Sequence, residues 1–124
     1  MGVDATVYKI RFEAIPADDD WSDYEALHAR IGNAATVAHL AVLIEGLPDG
    51  LARFPLILTR VLYSGTHAGD QIEVHDVGAV RQEAQGLPED LPEDAAEGGH
   101  LARFRGQLLA LCDAALTHAT PIYF

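Results

Sequence analysis

The sequence predicts a single α+β domain over residues 1–124, with a small, mainly antiparallel sheet packed by about four helices. Alternating polar and apolar residues over 3–12 are typical of a half-buried strand. Apolar side chains three and four residues apart over 100–118 predict a long C-terminal helix. The longest apolar run, residues 53–65, lies between breakers and predicts a central strand. A chain of this length needs no disulfide or metal to fold.

The N-terminal elements follow from alternation and capping signals. In the strand over 3–12, the basic side chains share one face, which we expect to be exposed. A helix is predicted over 22–31, because Ser22 and Glu25 form a capping box and the following apolar residues keep helical spacing. Pro16 and the aspartates after it place a loop between these two elements.

The middle of the chain alternates between predicted helices and strands. Residues 36–45 favour a helix with Thr36 as N-cap, although their Val and Ile content leaves a strand open. The apolar run predicts a strand over 55–63, and a shorter strand is predicted over 71–75. A helix over 76–85 follows, and Gly86 and Pro88 end it.

Arg60 and the C-terminal segment lead to two further structural predictions. Arg60 interrupts the predicted strand over 55–63 on the face of Leu58 and Leu62, so a buried face would require a partner for its charge. The chain ends in an apolar segment, residues 121–124, which we expect to dock as a final short strand.

Charge is the strongest compositional feature. Eight Lys and Arg residues stand against nineteen Asp and Glu residues, which gives a net charge of −11. Such a field repels nucleic acid and anionic membranes and attracts cationic partners, although solubility alone could also account for it. The acidic residues that we expect to bind a partner lie in two loops: Asp18, Asp19 and Asp20, and Glu89, Asp90, Glu93, Asp94 and Glu97.

Cysteine content and the N-terminus bear on location. Cys112 is the only cysteine, so no internal disulfide can form, and its place on the C-terminal apolar stripe predicts a buried side chain. The N-terminus has no apolar core of signal-peptide length, and no apolar run approaches the ~20 residues of a membrane span. We therefore expect a cytoplasmic protein.

No motif of catalysis or cofactor binding is present in the sequence. The glycines lack phosphate-loop spacing, no CxxC or HExxH occurs, and Ser64 does not stand in a nucleophile elbow. We therefore predict no catalytic residue and no cofactor. An alternative is a small enzyme or a ligand- or metal-binding domain that uses His67, Glu73 and His75.

Four short motifs in the C-terminal 70 residues resemble the immunity proteins of bacterial polymorphic toxins, most closely the group labelled immunity protein 70. The matching segments are Phe54-Pro55-Leu56, Leu62-Tyr63-Ser64-Gly65, Val80-Arg81-Gln82-Glu83-Ala84 and Pro121-Ile122-Tyr123-Phe124. The chain departs from the expected pattern at Ala84 and Thr120, where leucine and asparagine are usual. The matched residues are packing positions, so no functional residue is transferred.

The resemblance implies a non-enzymatic α+β protein that neutralises a cognate toxin by binding it. The net charge favours a basic toxin, because opposite charges speed association and fix orientation. A homodimeric structural module is a further possibility, and its mark would be a dimer that buries the apolar C-terminus.

Overall fold

A computed structural model describes residues 2–62, 70–89 and 99–124. Within these residues, a four-stranded sheet is formed by β1 (Gly2–Tyr8), β2 (Glu25–Asn33), β3 (Gln71–Ile72) and β4 (Ile122–Tyr123). The strand order is β2-β1-β4-β3, and each described pair is antiparallel. The predicted α+β class and the mainly antiparallel sheet are confirmed.

The two faces of the sheet differ in burial. Val3, Ala5 and Val7 of β1 are almost completely buried, whereas the alternate residues Asp4 and Thr6 lie on the opposite, outer face. This period of two is the one that the sequence predicts for a half-buried strand. The helices therefore pack on the inner face, and the outer face is left to other segments.

Besides two 3₁₀ turns, the described residues form four α-helices and one π-type turn: α1 (Ala34–Glu45), α2 (Gly50–Arg53), the turn Ile57–Val61, α3 (Val74–Gln85) and α4 (His100–His118). Helices α1 and α4 contact β1 and β2, and α3 packs along α4. The helices predicted over 36–45, 76–85 and 100–118 are confirmed. Helix α1 is capped by Asn33, whose side chain accepts from the amide of Thr36 at 2.9 Å, and Thr36 itself is not the cap.

The predicted strand over 55–63 is wrong, because this segment is helical where it is described. The amide of Leu62 donates to the carbonyl of Ile57 at 2.8 Å, which closes a π-type turn. Phe54, Ile57 and Val61 are buried, at a helical spacing of three and four residues. Arg60 is exposed and donates to the carbonyl of Gln71 at 3.1 Å, so it needs no carboxylate partner.

Glu83 of α3 stabilises the start of this helical segment. Its carboxylate accepts from the amides of Leu56 at 3.2 Å and Ile57 at 3.0 Å. These amides have no partner within their own helix, so a side chain from another helix supplies the cap. Partial burial raises the pKa of Glu83, against the two hydrogen bonds that favour its ionised form.

The predicted helix over 22–31 is also wrong, because these residues form a short 3₁₀ turn, Trp21–Tyr24, and then β2. Ala29 and Ile31 are buried and Arg30 is exposed, which is strand alternation. The Ser22–Glu25 capping box does not form. Pairing with β1 shifts register beside Gly32, whose φ of 153° is unfavourable for other residues.

Two predicted strands are shorter than expected, and the C-terminal strand is confirmed. β1 ends at Tyr8 rather than at residue 12, and β3 gives way to α3 at Val74. Ile122 of β4 is fully buried between β1 and β3. Just before β4, the hydroxyl of Thr120 donates to the carbonyl of Tyr8 at 2.7 Å, which satisfies a buried polar group.

Cys112 is buried within α4, as predicted, and burial raises the pKa of its thiol to about 12. The thiol is therefore neutral at physiological pH and packs as a small apolar side chain.

In the described ranges, no helix has the length and apolar character that crossing a membrane requires.

Candidate protein-binding surface

The loop of residues 10–23 connects β1 to β2 and lies against the outer face of the sheet. Its ends are close together, because the amide of Lys9 donates to the carbonyl of Tyr24 at 2.7 Å. Two 3₁₀ turns, Phe12–Ala14 and Trp21–Tyr24, give the loop internal structure. Compact loops with close ends and internal packing are frequent sites of function.

Four aromatic side chains meet where this loop crosses the sheet, and we name them the aromatic surface: Tyr8, Phe12, Trp21 and Tyr123. The ring of Tyr8 lies 5.2 Å from Phe12, 5.7 Å from Tyr123 and 6.2 Å from Trp21, between centroids. Tyr8 is buried and Tyr123 half-buried, whereas Phe12 is 44% and Trp21 51% exposed. The two tyrosines therefore form a base on which two rings remain accessible to solvent.

The hydroxyl of Tyr123 fixes the first turn of the loop. It accepts from the amide of Phe12 at 3.0 Å and donates to the carboxylate of Glu13 at 2.9 Å. This second bond is the main reason why the pKa of Glu13 is below its usual range. The last strand of the chain thereby holds a loop that lies more than a hundred residues earlier in sequence.

Arg11 makes a second connection between the loop and the body of the protein. Its guanidinium donates to both carboxylate oxygens of Glu73, at 3.1 and 3.2 Å, and to Glu13 at 3.0 Å. The Arg11 guanidinium is also the main cause of the lowered pKa of Glu73. A bidentate pair of this kind adds orientation to attraction.

The next part of the loop is the acidic triplet Asp18–Asp20, which is exposed and directly precedes Trp21. Asp20 caps the turn that carries Trp21, because its carboxylate accepts from the amide of Ser22 at 3.0 Å. The hydroxyl of Ser22 donates to the same carboxylate at 2.7 Å, and this bond, followed by the bond from the amide, lowers the pKa of Asp20. Asp19 accepts from the hydroxyl of Tyr24 at 2.6 Å, which raises the pKa of that tyrosine.

The charge around the aromatic surface is strongly negative. The stretch from Lys9 to Glu25 contains two basic and six acidic residues, and its arginine is paired with two carboxylates. The stretch therefore keeps an excess of exposed carboxylates, and the acidic triplet, which directly precedes Trp21 in sequence, supplies three of them. Exposed aromatic rings beside carboxylates suit a cationic protein surface.

The second predicted acidic loop is described only at its start. Glu89 is exposed and its carboxylate lies 2.8 Å from the guanidinium of Arg105 on α4, so its charge is already partnered. This pair belongs to the helical layer, whereas the acidic triplet belongs to the loop over the outer sheet face. The other predicted residues, Asp90, Glu93, Asp94 and Glu97, lie outside the described residues.

The alternative metal site is also partly outside the described residues, because it includes His67. Glu73 is hydrogen-bonded to Arg11 and to the amide side chain of Gln71. His75 is exposed, and its ring lies 3.4 Å from the carboxylate of Asp76. Within residues 2–62, 70–89 and 99–124, no three His, Cys, Asp or Glu side chains are grouped so as to hold a metal ion.

The sequence predicted the acidic triplet but not the aromatic residues beside it. Phe12 was expected at the end of a strand, and Tyr123 was expected to dock as part of the C-terminus. One signal was available: Trp21, the only tryptophan of the chain, directly follows three aspartates. A tryptophan in so polar a segment has few apolar neighbours to bury it, which indicates an exposed or partner-covered position.

Comparison of the chain with protein-family models, with curated proteins and with solved structures gave no match.

Proposed function

We propose that this chain is a non-enzymatic binding protein that neutralises a basic protein toxin by direct contact. The observation that carries the proposal is the joint placement of the exposed acidic triplet and two exposed aromatic rings on one fixed loop of a chain with net charge −11. The resemblance of the C-terminal motifs to bacterial immunity proteins supports the same function.

Both long-range and short-range forces would favour binding of a basic partner to this loop. Negative charge concentrates and orients a cationic partner before contact, which raises the association rate and makes it dependent on salt. Aromatic side chains then supply the apolar area that most often dominates the energy of protein interfaces. Because the loop is held by Tyr123 and by the Arg11–Glu73 pair, little ordering is needed when a partner binds.

The test begins with affinity capture from the source organism at about 50 mM and about 200 mM salt, a range over which the Debye length falls markedly. The captured protein is then purified, recombined with this chain, and expressed in cells with and without it. We expect a basic protein that forms a stoichiometric complex and whose toxicity is relieved by co-expression. A purified partner that binds without loss of its toxicity would refute neutralisation.

A charge-matched pair of variants tests the role of the acidic triplet. Changing Asp18, Asp19 and Asp20 to asparagine keeps hydrogen-bond acceptors at each position and removes three charges. Changing Glu45→Gln, Asp49→Asn and Asp76→Asn removes the same charge from exposed or partly exposed positions elsewhere. We expect the first variant to associate about tenfold more slowly and with weaker salt dependence, and the second to change much less. Equal effects of the two variants would show that only net charge matters.

The alternative function, a ligand- or metal-binding domain at His67, Glu73 and His75, stays a prediction. A metal at Glu73 would have to compete with Arg11, which already holds both carboxylate oxygens. Calorimetric titration with Zn²⁺ before and after a His75→Ala substitution tests it directly.

A further inference from the structure

We propose that the aromatic surface is a docking site for arginine side chains of the basic partner, and that it distinguishes arginine from lysine. This inference rests on the proposed function and specifies its chemistry. The energy of binding comes mainly from stacking on the exposed rings of Phe12 and Trp21, and the acidic triplet, which directly precedes Trp21 in sequence, supplies the negative charge.

The rings of the aromatic surface are arranged so that two of them remain open to solvent. Phe12 and Trp21 both pack against Tyr8, and each still leaves roughly half of its surface accessible. The other large exposed apolar side chains described, Val42, Leu51 and Leu116, are aliphatic and present no π face. The aromatic surface is therefore a suitable platform for stacking a planar cation.

The guanidinium group differs from an ammonium group in shape and in hydration. It is planar and more weakly hydrated than an ammonium, so it can stack on a ring while its edge donates to a carboxylate. The acidic triplet adjoins Trp21 and provides acceptors for that edge. The protein uses the same stacking elsewhere, because the guanidinium of Arg53 lies 5.0 Å from the ring centre of Phe54.

The arginine of the loop itself, Arg11, is already engaged by two carboxylates and does not occupy the site. The guanidinium of Arg11 donates to both carboxylate oxygens of Glu73 and also to Glu13. The negative charge beside the rings thus remains for a cation from outside the chain.

Trp21 provides the assay, because it is the only tryptophan and its fluorescence reports on this surface alone. The full chain is titrated with hexa-arginine, hexa-lysine and hexa-glutamate peptides at low salt. We expect hexa-arginine to change Trp21 emission and to bind about fivefold more tightly than hexa-lysine, from the order of magnitude of exposed cation–π contacts. Hexa-glutamate should have no effect.

Two substitutions separate stacking from charge. Phe12→Leu keeps the fluorescent reporter and should reduce the arginine preference to less than about twofold, while the affinity for hexa-lysine stays the same. Trp21→Leu, measured by calorimetry, should act likewise, and Leu51→Ala, at an exposed apolar position elsewhere, should change nothing. Circular dichroism confirms that each variant remains folded.

The inference is overturned if hexa-arginine and hexa-lysine bind equally, or if both bind without any change in Trp21 emission. Either outcome would leave the proposed function intact, with binding driven by charge alone. Failure of the proposed function has a different signature, since the purified basic partner would then bind without being neutralised.

Discussion

Replacing Tyr123 by phenylalanine removes one oxygen atom and tests whether the C-terminal strand holds the loop of residues 10–23 in place. The ring stays, so its contacts with Tyr8 and Phe12 are kept. Two hydrogen bonds are lost with the hydroxyl: one from the amide of Phe12 at 3.0 Å and one to the carboxylate of Glu13 at 2.9 Å. Glu13 is well exposed, so water can replace the hydroxyl as its hydrogen-bond partner. We therefore assign the loss of stability mainly to the Phe12 amide, at about 1 kcal/mol.

Amide hydrogen exchange measures this loss at the residue concerned. A change of about 1 kcal/mol in the opening free energy lowers the protection of the Phe12 amide about fivefold. Amides of the buried strand β1 should keep their protection, because the loop can open without the sheet. Unchanged exchange at Phe12 would show that the hydroxyl does not hold the loop, and an equal loss throughout β1 would show that the loop does not open independently.

The same substitution has a pH signature with a defined sign. The bond from Tyr123 is the main cause of the lowered pKa of Glu13, so this carboxylate stabilises the folded loop above its ordinary pKa and loses that effect as pH falls through the lowered value. In Tyr123→Phe, the pKa of Glu13 should rise toward its ordinary range. Titration of the Glu13 side chain by NMR measures the shift, and an unchanged pKa would refute the assignment.

Substitutions at three further positions test the fold. Glu83→Ala leaves two amides at the start of the helical turn Ile57–Val61 without their cap and should destabilise the protein by about 2 kcal/mol in urea unfolding, whereas Glu83→Gln should lose about half as much. Gly32→Ala places a methyl group about 2.7 Å from the side chain of Thr36, at a φ of 153°, and should lower stability by about 2 kcal/mol or more. Ala119→Gly relieves a left-handed residue at the end of α4 and should raise the melting temperature by a few degrees, from about 0.5–1 kcal/mol.

Periodicity predicted the helices because their apolar residues repeat over three or more turns. In α4, Leu101, Phe104, Leu108, Leu111 and Ala115 are all buried, as the spacing requires. A strand could not place residues at this spacing on one face. Tertiary contacts therefore did not override the helical preference. The fold class followed from these helices together with the alternation in β1.

The apolar run at 53–65 was misassigned because a short run fits both periods. Its buried residues Phe54, Ile57 and Val61 fit one face of a helix, and the exposed Arg60 falls outside that face. In a strand, the same arginine would share a face with Leu58 and Leu62. That conflict was visible in the sequence and indicated a helix rather than a buried charge.

The segment 25–33 shows the opposite conflict, in which pairing overrides propensity. Glu25, Ala26 and Leu27 favour a helix, yet the segment pairs with β1 as β2. Its alternation is confined to residues 28–31, where two buried residues follow exposed ones. Four residues are too few to decide the period before the partner strand is known.

The candidate protein-binding surface could be predicted only in part for a related reason. The acidic triplet is contiguous and visible in sequence, but the aromatic surface joins Tyr8, Phe12 and Trp21 to Tyr123 at the far end of the chain. Only the pairing of β4 with β1 brings them together. No local pattern encodes that contact.

Replacing residues 10–23 by a two-residue Asn-Gly turn separates the loop's function from the stability of the fold. The strands already meet at its ends, where Lys9 and Tyr24 are hydrogen-bonded, so a tight hairpin can close the gap. The buried core includes neither Phe12 nor Trp21. The main loss of stability comes from exposing the ring of Tyr8 to solvent, and it amounts to about 1–2 kcal/mol.

We therefore expect the shortened chain to fold with the helical content of the parent and to lose its affinity for the basic partner and for hexa-arginine. Far-UV circular dichroism and calorimetric titration measure the two properties on one sample. A folded variant that binds as well as the parent would place the interface elsewhere. The loop contributes little to the core, yet a bidentate ion pair and a tyrosine hydroxyl fix its shape, as we expect of a loop that serves recognition rather than stability.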